Sequence, residues 1–596
     1  MVADPIPLVD IEIKPDDSLI LRSPHEPGSH IQNMVDVLID RAGRFPDRTL
    51  VAEKADDGQW KHLTYAAAVA GARSVAQWLL DNGASVKHPI AILSRSSWFH
   101  FLTAWGAQMA AIPYTPVSVA YSTVPGAFPK LHHVLERVEP GFVFAETFAD
   151  HEAGLTGAHL DATIVSSGGT DDHVGFDELL ATTATAEVDR VINSIGPDTV
   201  TRYMFTSGST GMPKGVIHTH RMASHFLAGF GAFSDSQTSN ESRVLDWMPW
   251  SHVGAGVMRL NAVITNAGSV YLDRGRPIPG QFQTTIDNIR DVLPTTHSGS
   301  PLGWSMLADA LEHDDDLARS FFANLNTANY GSAAMPAPLA ARLNALMDKY
   351  MDERIQMTTS LLSTEVSACL LRYWETDDLE VAGLPTPGAE LKLLAVGAGR
   401  YELRARGGGV TPGYLNAPEA TAEAFDEDGF FKMGDAVRFL DPDNPTRGLC
   451  FAGRVAEDFK LQSGTWVSAG NLRAQVVAAA SPFVRDAVVC GLNEDYVALL
   501  LWPNTAKCQA VAPGEDIYTS SAVHDVISAG LATHNADNPQ SSVGVARYLL
   551  LETEPNLGTY EITEKGYVNQ RAVQEHRSAE VERLFAAAPD SRVVVL

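Results

Sequence analysis

Apolar residues recur at helical spacing from Ile31 to Ala42 (Ile31, Met34, Val35, Leu38), and a second periodic stretch runs from Thr64 to Asp81 and stops before Gly83. Both patterns predict helices that cover a sheet. Between Pro89 and Pro116 the pattern becomes a continuous apolar run (Ile90, Ala91, Ile92, Leu93), then an aromatic-rich helix carrying Trp98, Phe99, Phe101 and Trp105, then Ile112 and Pro113. A further unit leads from a helix containing His132 and Val134 to the strand Phe142, Val143, Phe144. Strand, helix and strand in repetition predict an α/β fold with a parallel sheet layered by helices. Toward the other end, Ala487–Cys490 and Val497–Trp502 read as strands, Asn504–Glu515 as a polar loop and Arg571–Ala586 as a helix.

One stretch interrupts this patterning with chemistry. Tyr203, Met204 and Phe205 form an apolar strand that runs into TSGSTGMPKG, Thr206 to Gly215, and the strand character resumes at Val216 and Ile217. Gly208, Gly211 and Gly215 permit turns in which successive N–H groups face one concavity and cradle an anion. Thr206, Ser207, Ser209 and Thr210 add hydroxyl donors, and Lys214, behind Pro213, adds a positive charge. The spacing differs from the Gly-x4-Gly-Lys-Ser/Thr loop, since Lys214 is followed by Gly215 and no hydroxyl stands beside it to hold magnesium. No GxGxxG follows a strand elsewhere, which argues against a dinucleotide fold. A mobile surface linker would not be flanked by apolar residues on both sides, so the phosphate role is the better reading. The nearby His218 and His220 have metal-like spacing but no third ligand, which favours structural roles, with His220 opening the next helix.

Composition narrows the remaining classes. A chain of 596 residues with 45% hydrophobic positions builds more than one folded unit. Its 44 Lys and Arg against 72 Asp and Glu give a net charge of −28, a surface that repels nucleic acid and anionic membrane. An anionic ligand must therefore be held by local groups such as Lys214. Cys369, Cys450, Cys490 and Cys508 lie far apart, which suits a reducing cytosol and argues against a zinc site. No basic, apolar leader opens the chain and no stretch of about 18 apolar residues follows, so a cytoplasmic location without stable membrane association is expected.

With these residues in view, TSGSTGMPKG resembles the phosphate loop of the adenylate-forming superfamily of acyl-CoA synthetases, adenylation domains and luciferases, and the likeness can be followed over roughly residues 30–570. In LDWMPWSHVG, Pro249, Trp250 and His252 match the family motif, which implies that His252 lies beside the carboxylate and the adenylate. NYGSAAMP (329–336) resembles the turn that holds adenine, with Gly331 allowing close approach. In TTSLLSTE, Thr364 and Glu365 match the Thr-Glu pair, implying a phosphate contact and a magnesium ligand, while Leu361 and Leu362 replace the usual Tyr-Gly. GFFKMGD ends on Asp435, matching the aspartate that accepts from both ribose hydroxyls. Arg454 would contact ribose or phosphate, and the hinge between two domains would pivot at Glu457 or Asp458, with Asp458 favoured. In EITEKGYVNQ, Lys565 takes the place of the C-terminal lysine that closes over the site as the adenylate forms.

The resemblance implies a large N-terminal domain of layered mixed and parallel sheets with helices, residues 1–454, and a small mobile α+β domain, residues 455–596. It implies ATP, Mg2+ and CoA as cofactor and co-substrates, a small carboxylic acid as substrate, and a monomer or homodimer. GRVAEDFKLQSGTWVS and TEKGYVNQR look like the feruloyl-CoA synthetase branch, bacterial ligases of hydroxycinnamic acids; a medium-chain fatty acid or another aryl acid is the alternative. Trp250, Val253, Gly331 and Leu361 are candidate acyl-pocket walls. Rival readings are transfer of the acyl group to a carrier protein, disfavoured because no carrier-like domain follows Lys565, and a non-catalytic nucleotide-binding protein, disfavoured by His252, Glu365, Asp435 and Lys565 together.

Overall fold

The computed structural model describes residues 6–28, 31–206, 212–233, 242–278, 280–331, 335–556, 558–562 and 568–596. Two of its sheets are seven-stranded and nearly parallel. One runs Gly215–Thr219, Val200–Phe205, Tyr114–Pro116, Ile90–Leu93, Phe142–Ala145, Thr163–Ser166, Val174–Gly175, with only the first pair antiparallel. The other runs Met357–Thr358, Thr327–Tyr330, Thr296–Gly299, Arg243–Asp246, Ser269–Leu272, Thr49–Lys54, Trp60–Thr64, antiparallel only at its last pair. The layered α/β architecture expected from the apolar patterning is the one found.

Helices fill the space that both sheets face. The helix Trp98–Met109 is capped by the Ser97 side chain and buries residues all around its circumference, as a helix covered on every side must. With Tyr65–Asp81 and Met34–Arg44 it packs Phe101, Trp105, Val75 and Met34 against Ile90 and Ile92 of one sheet and Val51 and Val270 of the other.

The third large sheet, nine-stranded and antiparallel, was not legible in the pattern. Its centre is Ala389–Gly397, Arg400–Gly407, Phe431–Phe439 and Leu449–Arg454, and its edge recruits Leu19–Arg22 and Asp10–Ile13. A four-stranded sheet, Val484–Cys490, Val497–Pro503, Val545–Leu550 and Val593–Val595, follows. Two apolar clusters around it draw on residues from Phe459 onward and none earlier.

Two local expectations are corrected. The polar interval after Asn504 holds a helix, Thr505–Val511, because the Asn504 side chain accepts from the Lys507 N–H and caps it. The single helix expected from Arg571 is two, Gln570–His576 and Ser578–Phe585. They break at Arg577, which turns inward to donate to both Glu561 oxygens at 2.8 Å and to the Thr553 and Glu554 carbonyls. Both charges are nearly buried, so Arg577→Met, which strands Glu561, should lower stability by ~3 kcal/mol in denaturant unfolding, and Arg577→Met with Glu561→Gln should recover much of it.

Candidate active site

Parallel pairing brings strand ends to a common edge. Ser298 lies opposite Asn329, Gly299 opposite Tyr330, and Asn329 opposite Thr358, so the carboxyl ends of these strands open together on one cleft, the usual place for a ligand in an α/β sheet. The cleft is a cavity of about 4000 Å³. Thr206, Lys214, His252, Val253, Gly331, Leu361, Thr364, Glu365, Asp435, Arg454 and Glu457 all line it. Ser207, Gly208, Ser209, Thr210, Gly211 and Lys565 lie outside the described residues. The loop's two arms are described: Phe205 pairs with Gly215, and the Thr206 N–H donates to the Lys214 carbonyl at 3.1 Å, closing its base.

A residue that motif spacing did not single out links two that it did. The Tyr414 hydroxyl donates to Glu365 Oε1 at 3.1 Å, and Lys214 Nζ stands 5.1 Å from the centre of the same ring, within cation–π range. Burial, followed by the neighbouring Glu365 carboxylate, pushes the Tyr414 phenol well above its usual range and keeps it a donor. Tyr414 is held here because its segment adds to the loop's second arm: the Leu415 N–H donates to the Gly215 carbonyl at 2.7 Å and the Ile217 N–H to that of Gly413 at 3.1 Å. The sequence signal was the Gly-Tyr of GYLNAPEATAEAF.

The histidine pair has partners. His218 Nε2 donates to the Thr364 carbonyl at 2.8 Å, fixing the Thr-Glu turn from behind. Burial and then Arg202 push its pKa down to about 3, so the ring stays neutral. His220 opens the helix His220–Gly231, and its Nδ1 accepts from the Met34 N–H at 3.2 Å.

His252 stands at the mouth of a π-helical turn, Val253–Arg259, a form that recurs at functional sites. Its N–H donates to the Pro249 carbonyl at 3.0 Å and its carbonyl accepts from the Gly256 N–H at 2.8 Å. Arg202, fully buried, donates to the Gly256 carbonyl at 2.9 Å and ties the turn to the strand that precedes the glycine-rich loop. A Cβ on Gly256 would sit 2.0 Å from the Trp250 carbonyl. Gly256→Ala should therefore displace the turn and lower the melting temperature, read by calorimetry.

Trp250 is not a pocket wall. Its ring packs edge-on against His100 at 5.4 Å and Phe101 at 6.2 Å, in the core between the sheets, where its apolar area is best buried. Val253, Gly331 and Leu361 do reach the cavity. A Cβ on Gly331 would meet nothing within 4 Å, so this position opens onto free space. The Tyr-Gly replaced by Leu361 and Leu362 leaves no aromatic ring at those two positions.

On the far wall, Asp435 is 3% exposed and lies opposite Arg454 across neighbouring strands. Arg454 Nε is 3.3 Å from Asp435 Oδ1, without the alignment of a hydrogen bond, and among the described residues that oxygen has no hydrogen-bond partner. Burial raises the Asp435 pKa to about 6, with Arg454 opposing and Glu365 and Glu457 adding to the rise. A buried acceptor left unpaired is costly unless a ligand completes it, and a pair of adjacent hydroxyls would do so. Beyond Arg454, Asp458 accepts from Arg400 Nη1 at 2.9 Å, and Arg400 also reaches Ser468 Oγ at 2.8 Å. Burial raises both the Glu457 and the Asp458 pKa.

Residues from the last sheet and its flanks complete the rim, among them Tyr560, Ile562, Val568 and Asn569. Lys130 Nζ sits 2.9 Å over the Tyr560 ring. No helix among the described residues is long and apolar enough to cross a membrane.

Comparison with known proteins bears on the fold and the family. Over most of both chains (93% of this one, 94% of the other), the fold superposes on the adenylation domain of the carboxylic acid reductase from Segniliparus rugosus, solved with AMP and a co-purified carboxylic acid, at a TM-score of 0.71 and 19% identity. In sequence the chain is 24% identical to the carboxylic acid reductase of Segniliparus rugosus over 67% of its own length but only 34% of that protein's. It is 23% identical to the long-chain-fatty-acid–CoA ligase FadD15 of Mycobacterium tuberculosis, covering 94% of this chain and 98% of the ligase. The AMP-binding enzyme family matches residues 38–415, more than half of the chain, and the chain belongs to that family.

Proposed function

We propose that the chain is an ATP-dependent carboxylic acid:CoA ligase that forms an acyl-adenylate and then an acyl-CoA thioester, releasing pyrophosphate and AMP. The observation that carries this is the convergence of Asp435 Oδ1, a buried acceptor that takes no hydrogen bond among the described residues, with Lys214, Tyr414 and Glu365 around one cavity. The Asp435 carboxylate suits two ribose hydroxyls, and Arg454 stands beside it for ribose or phosphate.

A carboxylate is a poor acyl donor because its oxygen cannot leave as oxide. A mixed anhydride with AMP supplies the leaving group. The enzyme must hold the carboxylate in line with the α-phosphorus, offset charge on the departing pyrophosphate and keep water out. His252 and the π-helical turn border the acid. Thr206, Lys214 and the loop hydroxyls surround the phosphates. Glu365 lines the cavity and supplies carboxylate oxygen, the ligand type a hard cation prefers, and a Mg2+ held there would neutralise phosphate charge. We further assign residues 455–596 to a small domain that turns about Asp458 or its neighbour Glu457, bringing Lys565 to the adenylate and withdrawing it for thiol attack.

The FadD15 and reductase likenesses support activation of an acid by ATP. CoA as the acceptor is supported by the ligase likeness, whereas a hydroxycinnamic acid as the substrate rests on the resemblance of the hinge and C-terminal motifs to the feruloyl-CoA synthetase branch, with medium-chain and other aryl acids as the alternative. A panel of ferulate, p-coumarate, caffeate, benzoate and medium-chain fatty acids with ATP tests the proposal. Acid-dependent pyrophosphate release and CoA-dependent AMP release are expected. Pyrophosphate release that CoA does not carry forward would point to a carrier protein, and none with any acid would refute the ligase reading.

A further inference from the structure

The acyl side of the cavity ends in charge where an aliphatic slot would end in methyl groups. Arg259, the last residue of the π-helical turn, forms an ion pair from Nη1 to Asp246 Oδ1 at 2.5 Å and donates from Nη2 to Ser298 Oγ at 2.8 Å. Asp246 closes the strand Arg243–Asp246 and Ser298 lies in the strand Thr296–Gly299, two neighbours in the same sheet. The Arg259 and Asp246 side chains are 17% and 3% exposed, and all three residues line the cavity. His252 precedes and Arg259 ends the seven-residue π-helical stretch Val253–Arg259, so their backbones lie on the order of 10 Å apart along its axis. Between them the wall is apolar, with Val253 and Met258 from the turn and Leu361 facing the same cavity.

Burying an ion pair at the end of an apolar slot costs desolvation that aliphatic side chains would avoid. Its geometry specifies what could use it. Asp246 neutralises Arg259, so a second carboxylate on the ligand would meet an acidic group as well as a basic one. Ser298 Oγ already accepts from Arg259, and among the described residues its own proton has no acceptor. A serine hydroxyl held in this way presents a donor. We propose that Ser298, fixed by Arg259 and Asp246, is a specificity-determining residue that donates to a neutral oxygen, a hydroxyl, ether or ketone, at the end of the acid remote from its carboxylate. The substrate class is then monocarboxylic acids carrying such an oxygen, which includes hydroxylated aryl acids and excludes plain alkanoates and dicarboxylates. This rests on the ligase reading.

The test uses matched pairs that differ in the distal oxygen: p-coumarate against cinnamate, and 9-oxodecanoate against decanoate. The ratio of kcat/KM within each pair is measured from pyrophosphate release, and affinity for each acid by calorimetry. The wild-type chain should favour the oxygen-bearing member of at least one pair by about tenfold or more, since a site built to bond an oxygen leaves a donor stranded when it is missing. Ser298→Ala should bring that ratio toward one. Asp246→Asn with Arg259→Met, which removes both charges together, should do the same. A purely structural tie between the turn and the sheet would lower both members equally and leave the ratio in place, and that result would overturn the proposal. So would a wild-type ratio of one in both pairs. A calorimetric preference without pyrophosphate release would retain the polar floor and reject the ligase reading, whereas pyrophosphate release with no preference would do the reverse.

Discussion

Asparagine in place of Asp435 should make the protein more heat-stable above pH 6 while nearly abolishing its use of ATP. The side chain is 3% exposed, and its pKa in the folded chain is about 6 against an ordinary 3.8. The folded state thus holds this proton more tightly than the unfolded chain does. Below the unfolded value both states are protonated and the charge costs nothing; between 3.8 and about 6 the penalty grows, and above that it is complete. The full penalty is of order 3 kcal/mol, with Arg454 already offsetting part of the burial cost. Asn removes the charge and nearly keeps the shape, so its gain over wild type should appear only as pH rises through that window. Function should move the other way. Charge-assisted hydrogen bonds to two ribose hydroxyls contribute about 1.5–3 kcal/mol each, so losing the charge should cost on the order of 100-fold in kcat/KM for ATP. In the wild-type enzyme the same parameter should fall as pH drops below about 6, because the free enzyme then carries a protonated acceptor. Thermal melts at pH 5 and pH 8 with ATP kinetics check both halves. A variant less stable than wild type at pH 8 would mean that Arg454 makes the carboxylate a net stabiliser.

The parts of the fold that could be read from the chain were those whose partners are close in sequence. Ile90–Leu93 and Tyr114–Pro116 are separated by the helix Trp98–Met109 and pair in parallel, as their patterning implied. The antiparallel sheet was hidden because it joins Leu19–Arg22 to Ala389–Gly397, strands that no local window sees together. Trp250 shows the ambiguity of an aromatic residue in an apolar run: periodicity says that it is buried, and only tertiary packing says that it is buried in the core and not at the cavity. The order of the motifs brought Lys214, Glu365, Asp435 and Arg454 to one cavity. What it could not supply were the side chains that position them. Tyr414 works through Glu365 and Lys214, and His218 through a backbone carbonyl, and neither contact leaves a spacing signature. Arg259 was equally silent, since an arginine after VGAGVM reads as a solvated helix end until Asp246 and Ser298 are seen against it.

Lys565→Ala should separate the two half-reactions. The lysine lies in the segment 563–567, outside the described residues, but both flanks are fixed. Ile562 and Val568 pair as a β-bridge, and both line the cavity. Glu561 is anchored by Arg577 at 2.8 Å, and Tyr560 lies beneath Lys130 of the large sheet-and-helix body. The chain therefore enters and leaves this segment at the cleft. Charge builds on the α-phosphate and the departing pyrophosphate only while the anhydride forms, and a preorganised cation aimed there is worth about 10²–10³ in rate. Attack of a thiol on an acyl-adenylate already made expels AMP, with no pyrophosphate to neutralise, and in the proposed cycle the lysine has by then withdrawn. Acid-dependent ATP–pyrophosphate exchange should fall by about two to three orders of magnitude, while conversion of synthetic acyl-adenylate and CoA to thioester should change far less. Equal loss in both assays would show that the lysine supports the architecture of the site and not the first chemical step. A selective loss of exchange would also assign Lys565 to the cations that gather at this cleft, where a protein of net charge −28 must concentrate positive groups to hold a triphosphate.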